Sequence, residues 1–289
     1  MAATMSEGTF LDNKAAVLDR LLSAVAGESR VLAVAYSGGL DSRFLIHAAL
    51  RADLIVRALH VRGPHIASHE HAFALSWAVS RSVPLTVIDL DPLDMPVLRN
   101  NPEDRCYHCK KAIFSALREA AGSLPLCDGT NASDMGEYRP GLRALLELGI
   151  QSPLAEAGIS KPEIRRIAVA TGLENPIQAA QPCLLTRFPY GTALTGEMLA
   201  FVGRAEDAVR EVFFAYGFDN IPFRVRFENA TTPALHLTSE PLALEVENAL
   251  ACTLKSLNFP GVPIRRVDSL SGYFDKKETG RLYNSRITG

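Results

Sequence analysis

Apolar positions in the first half of the chain alternate between two periods. Residues 13–26 (NKAAVLDRLLSAVA) repeat them at helical spacing, while residues 31–36 form a continuous apolar run that predicts a buried strand. The alternation continues with a helix from about Asp41 to Arg51, a strand at LIVRALHV (54–61) and a helix near 67–81. A strand at PLTVIDL (84–90) follows, then a helix starting near Tyr107 and a strand in LPLCDGTN (124–131) that runs into a turn. Strands and helices of these lengths in strict alternation predict an α/β fold, a parallel sheet covered on both faces.

The pattern then loosens. EYRPG and QSPLAEAGISKPEIRRIAVATGL read as a loop-rich region, with Ser160 as a helix N-cap and Pro162 in the first helical turn. After PYGTALT it changes again, to a helix near 196–215, strands at FRVRFENA and ALHLTS, a helix at 241–257 and a strand at VPIRRVD. The expected organisation is a loose lead-in (1–12), a main α/β domain (13–195) and a smaller C-terminal α/β domain (196–289). No internal repeat or low-complexity tract is visible.

Composition narrows the function classes. A net charge of −2 over 289 residues argues against a protein that grips nucleic acid through its phosphates, so no nucleic-acid partner is expected. No window approaches 18 uninterrupted apolar residues, so no membrane span is expected. The first residues lack the basic-then-apolar order of a signal peptide. A cytoplasmic protein and a homo-oligomer are expected. In a reducing compartment the five cysteines are poor disulfide candidates and need another explanation.

The first candidate chemistry lies between strand and helix, in SGGLDS (37–42). Gly38 and Gly39 permit close approach, and the backbone N–H groups can face inward as an anion nest. The helix that follows adds its free N–H groups and positive dipole end. Ser37 and Ser42 supply hydroxyls. Asp41 is out of place beside a phosphate unless a cation intervenes, which points to Mg²⁺. The loop is neither a Walker A motif nor G-x-G-x-x-G; a tight turn capping a helix is the plainer alternative. DGTNASD (128–134) also follows a strand, so Asp128, Thr130, Asn131 and Asp134 fall at the same sheet edge, where open α/β sheets bind ligands. An Asx-type turn explains the same residues without a ligand.

The cysteines carry a second signal. Cys106 and Cys109 form C-x-x-C at a helix start, where thiolate is favoured. Alone, the pair is compatible with half a zinc site, a redox pair or coincidence. Cys183 follows Pro182 in an irregular segment with Arg187 nearby. Cys127 in a strand and Cys252 in a helix read as packing residues.

SGGLDS resembles the pyrophosphate-binding loop of the PP-loop ATP pyrophosphatases, which cut ATP between the α and β phosphates and adenylate a substrate oxygen. NPEDRCYHCK (101–110), DGTNASDMGEYRPG (128–141), SPLAEAGISKPEIR (152–165) and QPCLLTRFPYG (181–191) stand in the order found in the LarE family. That family provides the ATP-dependent sulfur transferase of nickel-pincer nucleotide cofactor synthesis. The resemblance covers roughly residues 30–228. It implies a PP-loop doubly wound sheet with a small C-terminal α/β domain, ATP and Mg²⁺ as cofactors, and a pyridinium dicarboxylate mononucleotide as acceptor. It also implies other enzymes of the same pathway as partners. Lys161 would reach the pyrophosphate and Arg139 would face the site. Glu206, Arg224, Arg226 and Arg187 would serve the substrate, although His236 stands about where the family commonly has an acidic residue. Cys183 takes the sulfur donor's position. In one version of the family that cysteine is sacrificed and becomes dehydroalanine. In another, three cysteines hold a [4Fe–4S] cluster, and Cys106, Cys109 and Cys183 favour that version here. A PP-loop amide ligase, a tRNA thiolase and a non-catalytic nucleotide-binding regulator are the competing readings.

Overall fold

The computed structural model describes residues 7–135, 140–179, 181–218, 221–229, 231–238, 241–257 and 262–275. Packing divides the chain into two compact units. The first holds residues up to Asp91 together with Asp104–Gln181; the second holds Pro92–Glu103 and everything from Pro182. By packing, the division therefore falls before residues 182–195 rather than after them.

The first unit is built on a parallel sheet of order β3-β2-β1-β4, with β1 at Val31–Ala35, β2 at Ile55–Arg62, β3 at Leu85–Asp89 and β4 at Leu126–Cys127. Successive residues of a strand face opposite sides, and the core splits accordingly. Leu32, Val34, Val56 and Ala58 pack with α1 (Glu7–Ala26), α2 (Leu40–Arg51), α3 (Ser68–Ser80) and α7 (Lys161–Ala170). Ala33, Leu59, Val61 and Leu126 face a second core made with α4 (Arg105–Ala121) and α5 (Pro140–Glu147). This is the doubly wound α/β arrangement that the alternation predicts.

Two boundaries differ from expectation. Helix α1 starts at Glu7, so residues 7–12 are helical rather than a loose lead-in. The region read as loop-rich contains α5, whose Leu145 is buried in the second core, and the short α6 (Pro153–Glu156). Ser160 caps α7 as expected: its backbone N–H donates to Glu163 Oε2 at 2.8 Å in a capping box.

The second unit carries a three-stranded sheet of order β5-β6-β7, with β5 (Phe223–Phe227) antiparallel to β6 (Pro233–Leu237) and β7 (Ile264–Arg266) parallel to β6. Helix α8 (Gly196–Ala215) packs on β5 and on α9 (Leu244–Ser256). Residues 92–103 join this unit through Asn101, whose buried amide donates to the Phe188 and Pro189 carbonyls at 3.0 and 2.9 Å.

Candidate active site

At the carboxyl edge of the parallel sheet, a cavity of about 330 Å³ is lined by the ends of β1 and β2, by α4 and by the loop after β4, within the size range of small-ligand sites. Its polar end is lined by Ser37, Gly39, Asp41 and Ser42 from the first loop and by Asp128, Thr130 and Asp134 from the loop after β4. Its other end is apolar, with Leu59 and Val61 from β2 facing Ile113, Phe114 and Leu117 of α4.

The first loop is held by its own hydroxyls. Ser42 Oγ accepts from Ser37 N at 3.3 Å and donates to Gly39 O at 3.0 Å, and Ser37 Oγ accepts from Gly39 N at 3.2 Å. Gly38 has φ +80°, and an added Cβ would stand 2.8 Å from Ala74 Cβ, so both conformation and space require glycine. Gly129 brings the second loop against the first; a Cβ there would lie 3.0 Å from Ser42 N. The first N–H groups of α2, which have no partners inside the helix, start at this edge. Loop and helix thus offer free N–H groups that could accept an anion beside a predominantly apolar cavity.

Two charged groups are tuned by this setting. Lys161 Nζ donates to Asp41 Oδ1 at 2.5 Å. Burial pushes the Asp41 carboxyl above its usual range, and the Lys161 contact only partly offsets that. Asp128 is raised by burial too, against hydrogen bonds from Ser152 Oγ (2.6 Å) and Thr130 Oγ1 (2.5 Å). Lys161, expected as a loop cation, is instead the first residue of α7 and already has a carboxylate partner. Magnesium needs only one or two protein carboxylates when phosphates supply its other ligands. Asp41, on the cavity wall in the Ser37–Ser42 loop, fits that requirement.

The structure brings together Ser37, Gly39, Asp41, Ser42, Thr130 and Asp134 around one cavity. Gly38, Asn131 and Lys161 do not line it, although Lys161 contacts the lining residue Asp41. Asn131 and Asp134 form a capping box, in which Asn131 Oδ1 accepts from Ser133 N and Asp134 Oδ2 accepts from Asn131 N, both at 3.0 Å. The Asx-type turn is therefore present alongside the cavity role. Arg139 lies outside the described residues.

Sequence reasoning missed Lys110 and His60, which also line the cavity. Lys110 directly follows the C-x-x-C motif on a helix starting at this edge, and that position was its available signal. His60 reads in the sequence as one residue of a buried strand. Its Nδ1 meets the Tyr36 carbonyl at 2.8 Å, so Nδ1 carries the proton and Nε2 accepts from His71 Nδ1 at 2.9 Å. It holds Tyr36 where β1 leaves the ladder.

All five cysteines are thiols rather than disulfides. Cys106 is exposed and Cys109 buried at the start of α4. Burial pushes Cys127 up to about 12, consistent with packing, whereas Cys252, expected in the core, is exposed. Cys183 belongs to the second unit and opens the short turn Leu184–Arg187, its carbonyl accepting from Thr186 N at 3.1 Å. A three-thiolate cluster site is not assembled within either unit. Among the described residues no group of three or more His, Cys, Asp or Glu side chains is placed to hold a metal ion.

In the second unit Arg187 and Glu206 form a bidentate, fully buried ion pair, Nε to Oε1 at 2.7 Å and Nη2 to Oε2 at 3.0 Å. Arg187 Nη1 also donates to the Pro182 carbonyl at 3.1 Å, so Arg187 clasps the backbone beside Cys183. Arg224 and Arg226 are buried on one face of β5. Arg226 meets His236 Nδ1 at 3.2 Å and donates to the Leu270 carbonyl. Burial, with Arg187 and Arg224 adding to it, lowers Arg226 to about 10.

No family model matches the chain. An uncharacterized protein of Synechocystis is 36% identical over 208 residues, which is 70% of this chain and 75% of that protein. An uncharacterized protein of Methanocaldococcus jannaschii is 33% identical over 186 residues, 63% of this chain and 71% of the relative. The pyridinium-3,5-bisthiocarboxylic acid mononucleotide synthase of Lactiplantibacillus plantarum is 35% identical over 216 residues, 72% of this chain and 75% of that enzyme. With this identity across both lengths, and with the fold its motifs imply, the chain belongs to the LarE family of sulfur-transferring enzymes.

Proposed function

We propose that the chain is an ATP-dependent sulfur transferase acting on a pyridinium dicarboxylate mononucleotide. The observation that carries this reading is the cavity at the sheet edge, an apolar slot suited to a nucleobase that ends on the Ser37–Ser42 loop. A substrate carboxylate oxygen attacks the α phosphorus of ATP, and pyrophosphate leaves. Sulfur then attacks the acyl carbon, and AMP leaves with the former carboxylate oxygen. Asp41 would hold magnesium together with the phosphates, and the ion supplies charge neutralisation there. Lys161, paired with Asp41 at 2.5 Å, is placed to exchange that partner for a phosphate oxygen. Arg224 and Arg226, buried cations on one strand face, suit the mononucleotide phosphate. Enzymes that supply this acceptor or take its product are the expected partners.

Two sources of sulfur remain distinct proposals. In the first, Cys106, Cys109 and Cys183 together hold a [4Fe–4S] cluster; when bound it supplies sulfide for transfer. In the second, Cys183 forms the thioester itself. Loss of its Cα proton and cleavage of the Cβ–Sγ bond then release the thiocarboxylate and leave dehydroalanine. The first is favoured by the presence of all three cysteines in this chain. Anaerobic purification, iron and sulfide analysis, and intact mass before and after turnover separate them. Iron with unchanged polypeptide mass supports the cluster. A mass loss of about 34 Da without iron supports sacrifice. Undiminished product from Cys183→Ala contradicts both.

A further inference from the structure

The phosphate loop is tied from behind by a side chain that the proposed chemistry does not use. Arg43 of α2 is fully buried, beneath Phe73 and Trp77 with its guanidinium carbon 5.3 and 5.8 Å from their ring centres. Its Nη1 donates to the Glu174 carbonyl at 2.7 Å. Its Nη2 donates to the Asn175 carbonyl at 3.0 Å and to Gln178 Oε1 at 2.8 Å. A guanidinium only donates, so the Gln178 oxygen must face Arg43 and the amide N–H₂ must face the other way. There Gln178 Nε2 donates to the Gly38 carbonyl at 3.3 Å.

That carbonyl belongs to the Gly38–Gly39 peptide, whose N–H is taken by Ser37 Oγ at 3.2 Å. Both ends of one peptide plane are therefore fixed, the oxygen by Gln178 and the N–H by Ser37. Glycine has a low barrier to backbone reorientation. A flip of this plane would turn a carbonyl oxygen toward an anion site. Ser37 and Gly39 line the cavity, whereas Gly38 and Gln178 do not, so the oxygen is held on the far side.

We propose that Gln178 is a positioning residue for phosphate binding: oriented by buried Arg43, it holds the Gly38 carbonyl away from the anion site and so keeps the loop in its phosphate-accepting form. This rests on the assignment of the Ser37–Ser42 loop to ATP. The test uses the full chain, with Gln178→Leu, which removes the donor, and Gln178→Glu, which replaces it with an oxygen facing an oxygen. Inorganic pyrophosphate and MgATP are titrated calorimetrically. Pyrophosphate is expected to bind about 5- to 10-fold more weakly to Q178L, the loss of roughly one hydrogen bond, and more weakly still to Q178E. The KM for ATP should rise in step, while kcat, the acceptor KM and the melting temperature hold. Wild type that binds pyrophosphate, with both variants matching it, overturns the inference and leaves the ATP assignment standing. Variants that lose melting temperature and kcat but not affinity overturn it too, since that is a purely structural role. Wild type that binds neither probe overturns the ATP assignment, and this inference with it.

Discussion

Asp41 and Lys161 show how one contact changes the meaning of two residues. As isolated letters they suggest a magnesium ligand and a loop cation. In the fold they neutralise each other at 2.5 Å on the edge of the cavity, both about a quarter exposed. Such a partly exposed pair contributes only about 0–1 kcal/mol to stability, so its value lies in supplying a carboxylate and an ammonium to the same place. Asp41→Asn is expected to leave the melting temperature nearly unchanged and to slow pyrophosphate release about 100-fold or more. Lys161→Ala should behave similarly. The double variant should lose less than the product of the two, because each single change already breaks the shared arrangement. Stopped-flow pyrophosphate assays with saturating acceptor measure all three. Independent, multiplicative losses would refute the coupling.

The elements were legible where a strong period carried them. The first three strands of the parallel sheet and the helices α2, α3 and α4 fall within a few residues of expectation, because alternate strand positions and helical stripes must each bury an apolar face. Helix α5 was not legible. Pro140 and Gly141 read as turn residues, and eight residues are too few to be helical alone; packing against α4 through Leu145 makes the helix. The Ser37–Ser42 loop depends on neighbouring elements in the same way. Gly38→Ala places a Cβ 2.8 Å from Ala74 on α3 and at φ +80°, and Gly129→Ala places one 3.0 Å from the Ser42 N–H. Each is expected to cost roughly 1–3 kcal/mol of stability. Gly129→Ala should weaken ATP binding as well, by pushing Thr130 and Asp134 off the first loop. Thermal melts with and without MgATP test this: equal ATP-induced stabilisation in G129A and wild type would refute it.

Each of the two packed units carries groups that set its pH limits. His65 in the first unit and His236 in the second are lowered by burial to about 4 from an ordinary 6.5. Above pH 6.5 both are neutral folded and unfolded, and they cost nothing. As pH falls from 6.5 toward 4 the unfolded chain takes up protons that the folded chain cannot. Stability is lost across that window, by roughly 3 kcal/mol per histidine when fully expressed. His65→Gln should flatten the fall in denaturation midpoint between pH 7 and pH 4; an unchanged slope would contradict this. In the second unit Glu206→Ala leaves Arg187 buried without its carboxylate, and about 3–5 kcal/mol of destabilisation is expected by denaturant titration. The sequence by itself determined the α/β class and the strand–loop–helix setting of SGGLDS, because hydrophobic period and glycine spacing are local properties, and it pointed to the family only through the resemblance of its ordered motifs. Tertiary structure decided that Lys161 meets Asp41, that Arg187 pairs with Glu206, and that Gln178 donates to the Gly38 carbonyl of SGGLDS. Those contacts join residues 19 to 140 positions apart, and only the packing of helices on the sheets fixes which distant side chains meet.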